Sequence, residues 1–146
     1  FPYTTLFRSF TVSATVNKQC TVSVATNVNL GSVPHTQTNI PGITSFDTTC
    51  TKSTAYSIGL SPSNNSTTGS GVMKSKNNSA NNTDLVPYQL NSTAGVGGTP
   101  WGSLAPNTVA GVGSGLPVNR TVYVVAPSAN YRPDDYADTV TINVTY

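Results

Sequence analysis

Glutamate is absent from this 146-residue chain, His, Met and Trp occur once each, and charged residues of all kinds make up 8%. An ordinary domain carries about 25%. The scarcity excludes several classes of function. Seven basic residues and a net charge of +2 cannot cover the phosphates that a nucleic-acid binder must neutralise. So small a net charge is also not the composition of a chain kept disordered by self-repulsion. No run of 18 apolar residues occurs, so no transmembrane helix is encoded. Strong helix formers are few. What the chain has instead is 23 Thr, 17 Ser and 15 Asn, interleaved with Val, which is the composition of short strands joined by polar turns. The length fits one domain able to bury roughly 70% of its unfolded surface. The expectation is an all-β fold.

Residues 1–9, Phe-Pro-Tyr-Thr-Thr-Leu-Phe-Arg-Ser, read as the conceptual translation of a common short-read sequencing adapter, with all nine residues in agreement. They lack the basic start and apolar run of a signal peptide. They are expected not to be native. Setting them aside, Arg8 included, leaves 137 residues with formal charge +1.

The remainder alternates between strands and turns. Residues 10–16 (FTVSATV) place apolar and hydroxyl side chains in strict alternation, the period of a strand with one buried face. After Asn17, Lys18 and Gln19 the alternation resumes at residues 20–24 (CTVSV). Residues 28–30 run into Gly31 and Pro34, an edge or a bend. Further strands are predicted over residues 43–50, 56–60, 85–90 and 121–125. Residues 61–84 form a long polar stretch broken by Val72, Met73 and Lys74, and Gly-rich pieces occupy residues 95–98 and 111–115. Residues 139–146 (TVTINVTY) give the second faultless alternation. Strands at this spacing predict a β-sandwich, with no repeat and no interdomain linker. The two end segments each offer four apolar side chains on one face: Phe10, Val12, Ala14 and Val16, and Val140, Ile142, Val144 and Tyr146. A strand to pair with the far side of the second must come from elsewhere in the chain or from another chain.

Two cysteines in so polar a chain suggest an oxidising compartment. A Cys20–Cys50 bond would close about 30 residues and contribute roughly 3–4 kcal/mol on the chain-entropy model; two buried free thiols are the alternative. With one histidine and no CxxC spacing, no metal site is expected, and no cofactor. A Ser/His/Asp triad would have to use His35, which sits among Pro and Thr without a nucleophile elbow. Asp134 and Asp135 are neighbours that suit a turn, with Asp138, better than a shared proton. Trp101, Tyr88, Tyr131 and Tyr136 could stack on a sugar but fit a sandwich core better. The seven Asn-x-Ser/Thr sequons, Asn65, Asn91 and Asn119 among them, follow from composition alone.

Read in order, residues 10–16, Cys20-Thr21-Val22, Leu30-Gly31, Cys50-Thr51 and residues 56–60 (YSIGL), then Met73-Lys74, Leu85 with Tyr88-Gln89-Leu90, Trp101-Gly102 and residues 136–140 (YADTV), resemble the spore coat U domain family. That family includes subunits of archaic, Csu-type chaperone–usher pili. The resemblance spans residues 10–146. It departs at Asp134, where a Gly is usual, at Asn91, where an aromatic is common, and at Val124, where Gly is frequent.

The resemblance implies an immunoglobulin-like β-sandwich (residues 17–146) that lacks its last strand, preceded by an N-terminal donor strand (residues 10–16). It implies no enzyme but a structural subunit of a pilus on a Gram-negative cell surface, exported through the periplasm and serving adhesion and biofilm formation. The expected partners are a periplasmic chaperone, an outer-membrane usher and neighbouring subunits, with no nucleic acid and no direct membrane insertion. Phe10, Val12, Ala14 and Val16 would be the donor side chains. Val140, Ile142, Val144 and Tyr146 would line the acceptor groove and meet the chaperone, with the Tyr146 carboxylate offered to a chaperone cation. The three residues between Val16 and Cys20 are too short a spacer for the arm to fold back into its own groove. The pilin half of a truncated two-domain tip adhesin, and a spore or cell-coat protein of the same family, are the alternatives.

Overall fold

In the computed structural model, which describes residues 2–77 and 81–146, nine strands follow one another. They are β1 (Cys20–Val22), β2 (Thr38–Cys50), β3 (Ala55–Pro62), β4 (Ser70–Ser75), β5 (Leu85–Asn91), β6 (Val109–Val112), β7 (Val118–Ser128), β8 (Tyr136–Ala137) and β9 (Val140–Thr145). All pair antiparallel, in a six-stranded sheet ordered β1-β2-β7-β5-β4-β8 and a three-stranded sheet ordered β6-β3-β9. Among the described residues no helix is long and apolar enough to cross a membrane.

The period-2 patterns decide which side chains meet between the sheets. Phe46, Val122, Val124 and Leu90 from the larger sheet pack against Tyr56, Ile58 and Leu60 of β3, all buried. Trp101 closes this core. Its ring lies 6.0 Å from that of Phe46, and its indole N–H donates to the Ile58 carbonyl across 2.9 Å. The adjoining Gly102 accepts from the Leu60 N–H, and a Cβ at Gly102 would fall on the Thr67 carbonyl. The Trp-Gly pair therefore knits β3, β5 and the loop before β4 into one body.

The expected sandwich is observed, with four local differences. The polar stretch 61–84 contains β4, because Val72 and Met73 pair with Pro87 and Val86 of β5. The Gly-rich piece near residue 111 contains β6, whose small residues leave room for the Tyr56 ring. Residues 28–30 are not a strand; Val28 and Leu30 instead lie over Gly42, in space that a side chain there would need. Residues 10–16 are not a strand in this chain either. Their alternation is that of a strand, but no partner strand is offered to them here.

Candidate functional site

The two sheets leave an opening along one flank. β9 ends the three-stranded sheet and, among the described residues, is paired with β3 alone, while β1 ends the six-stranded sheet. Between these edges runs an open cleft of about 870 Å³. Residues 22–30 form one wall and residues 135–142 the other, and the floor is core: Phe46, Leu60, Met73, Tyr88, Leu90, Val122 and Val124. Along β9, Val140, Ile142 and Val144 face inward yet are only partly buried, whereas their neighbours Ile58 and Leu60 on β3 are 0% and 1% exposed. Among the described residues no strand pairs with the far side of β9.

Polar contacts hold the mouth of the cleft beside β8. The Asp134 carboxylate accepts from the Ser75 hydroxyl (2.6 Å), from the Asn82 amide (3.0 Å) and from the Asp135 N–H (2.8 Å). Asn82, itself buried, also donates to the Tyr136 hydroxyl, which donates to the Arg132 carbonyl. Arg132 and Asp84 complete the tie, with the Arg132 N–H on the carboxylate at 3.0 Å and an ion pair at 3.6 Å. Asp138 accepts the Thr139 N–H and the Tyr88 hydroxyl, the latter at 2.6 Å. Burial, reinforced by Asp138, pushes the Tyr88 phenol above its ordinary range, so it stays a neutral donor. The aspartates shape this turn, as their spacing suggested.

The predicted residues fall as follows. Val140 and Ile142 line the cleft, Val144 continues the same face, and Tyr146 follows the last residue of β9 and is 54% exposed. Phe10, Val12, Ala14 and Val16 all stand in solvent, with Phe10 88% exposed, and none lies in the cleft. Cys20 and Cys50 are disulfide-bonded and directly opposite one another in the β1–β2 register, which fixes the start of one wall. His35 occupies an exposed turn. Trp101 and Tyr88 are core residues.

Sequence reasoning missed the wall at residues 24–30, and it missed Met73 and Tyr88 as floor. These come from segments far apart in the chain, and only the partial apolar alternation of Val22, Val24, Val28 and Leu30 hinted at the wall. Chemically, the arrangement offers a trough with an apolar floor and polar rims, beside a strand edge unpaired among the described residues. Such an edge can accept an extended segment, main chain to main chain, with side chains in the trough.

Two of the solved structures that match the chain are pilus-assembly complexes. The chain matches one in the CsuC–CsuE chaperone–tip adhesion subunit pre-assembly complex from archaic chaperone–usher Csu pili of Acinetobacter baumannii, at TM-score 0.58 and 21% identity over 90% of this chain and 41% of that one. It also matches one in a chaperone–tip adhesin complex of CFA/I fimbriae biogenesis, at TM-score 0.51 and 19% identity over 82% of this chain and 38% of that one. The chain thus spans about two fifths of the chains it resembles. No curated protein matches it. The Spore Coat Protein U domain matches residues 6–143, which takes in both walls of the cleft, and the chain belongs to that family.

Proposed function

We propose that this chain is a structural subunit of a bacterial surface pilus, assembled through a periplasmic chaperone and an outer-membrane usher by strand donation between subunits. The observation that carries the reading is the pairing, in one chain, of an open cleft with an apolar floor beside β9 and an exposed alternating arm at residues 10–16. The cleft is the acceptor for a strand, and Phe10, Val12, Ala14 and Val16 are the side chains offered to a neighbour. Burying them contributes roughly 5–10 kcal/mol gross, before ordering costs. An open edge over exposed core is an aggregation hazard, which a chaperone occupying the cleft would relieve. The disulfide accords with transit through an oxidising periplasm. Adhesion and biofilm formation are the roles this assembly would serve on a Gram-negative surface.

Two variants test the reading. Deleting residues 10–16 leaves chaperone binding intact and abolishes donation to the next subunit; polymerisation of the deleted protein in the presence of chaperone and usher would refute it. Ile142→Asp puts a charge on the cleft wall and stops fibre formation, and fibres of normal yield from that variant would show the wall to be misassigned. A second reading is favoured by coverage: both similar structures are tip-adhesin complexes in which this chain spans about two fifths of its counterpart. On that reading it is the pilin half of a two-domain adhesin, and gene sequence upstream of residue 10 encoding a receptor domain rather than a signal peptide would decide for it.

A further inference from the structure

Methionine occurs once in this chain, at residue 73, and the two cysteines are bonded to each other, so the Met73 thioether is the only reduced sulfur. β4 places it in the floor of the cleft. It pairs there with Val86 of β5 and follows Gly71 on the same strand face, where the Tyr88 ring fills the space a side chain would take. Met73 packs against the core but is only partly buried, since the cleft opens over it. Trp101, also prone to oxidation, is sealed at 1% exposure. Around Met73 the floor is Phe46, Leu60, Leu90, Val122 and Val124, none of which carries a side-chain hydrogen-bond donor. The Tyr88 hydroxyl, the one polar group of that floor, already donates to Asp138 at 2.6 Å.

Resting on the reading above, we propose that Met73 is a modification site through which hypohalous acids control strand acceptance: it is oxidised while the cleft stands open, and the sulfoxide then refuses a strand. The step balances with hypochlorous acid and water alone. The thioether sulfur gives a lone pair to the chlorine of hypochlorous acid, and hydroxide leaves. Water adds to the chlorosulfonium sulfur, chloride departs, and the protons go to solvent. The sum is thioether and hypochlorous acid giving sulfoxide, chloride and one proton; sulfur loses two electrons and chlorine gains them. A flexible apolar side chain has become a polar one. In the open cleft, water satisfies the sulfoxide oxygen. Beneath a strand that displaces this water, the oxygen finds no spare donor in the floor, and a buried acceptor left without a partner opposes binding. The same strand keeps oxidant off the sulfur. Free subunits are thereby put out of use while filled ones are spared.

Equimolar hypochlorous acid, added to the full chain and then quenched with free methionine, tests the site. Intact and fragment masses are expected to show one added oxygen, at Met73. A fluorescein-labelled peptide of residues 10–16, followed by anisotropy, binds the oxidised chain about 5- to 100-fold more weakly than the reduced chain. A mixture of the two methionine sulfoxide reductases restores the affinity. Saturating peptide added before the oxidant protects Met73. The Met73→Leu chain, compared with itself before and after treatment, keeps whatever affinity it has; Leu is close to Met in volume, so the fold is retained. Equal binding by oxidised and reduced chains, or equal oxidation with and without peptide, overturns the site and leaves strand acceptance standing. A collapse of the thermal melt on oxidation also overturns it, since Met73 would then serve the fold and not the cleft. If the peptide binds the reduced chain no better than a scrambled sequence does, strand acceptance itself falls, and the site with it.

Discussion

Tyr88 shows how a single residue links core to cleft. It is buried on β5, forms part of the cleft floor, and donates to Asp138. Because burial, and then the carboxylate, raise its folded-state value above the ordinary 10.0, the folded chain keeps a proton that the unfolded chain gives up. The associated stability is therefore complete below about pH 10 and is lost as pH rises past it. Thermal melts at pH 8 and pH 11 are expected to fall further for the wild type than for Tyr88→Phe, and equal falls would contradict the assignment. Gly111 makes a steric case. A Cβ there would collide with the Tyr56 ring and with the Arg120 guanidinium, which donates to the Tyr56 hydroxyl at 2.8 Å. Gly111→Val should cost about 1–3 kcal/mol, read as a lower urea midpoint. Neither role was legible in the sequence, since Gly111 looked like loop and the partner of Tyr88 lies 50 residues away.

Among the elements, residues 10–16 and β9 carry the same signal and meet different fates. Both alternate without fault, but β9 finds β3 in register from Ser57–Thr145 to Pro62–Val140, and the arm finds nothing. Alternation reports that a segment suits an edge with one apolar face; it does not say whose edge. β1 makes the complementary point. It has only three residues, and the bond from Cys20 to Cys50 holds it against β2. Replacing both cysteines by serine should cost about 3–4 kcal/mol in denaturant unfolding. An unchanged unfolding midpoint would count against the closed loop as a source of stability.

At the scale of the whole molecule, the sandwich stands without its arm. Phe10, Val12, Ala14 and Val16 are exposed, so removing residues 10–16 should leave the thermal melt within about 0.5 kcal/mol of the full chain, even as it removes self-association. A large loss would mean that the arm is part of its own fold. The low charge also acquires a use at this scale. A surface of Thr, Ser and Asn stays polar without salt bridges, and one ion pair, Arg132–Asp84, is formed among the described residues.

The sequence alone determined the all-β class, the inward faces of most strands, the bonded cysteines as the favoured pairing, and the last segment as a strand with one apolar side. These are local properties: a period of two and a turn-forming composition are written in neighbouring residues. Only the tertiary structure decided that residues 22–30 face residues 135–142 across a cleft. It alone showed that the floor is core contributed by β2, β3, β4, β5 and β7. Those facts depend on which strands lie at the sheet edges, and edge position is a property of strand order, which no single segment encodes.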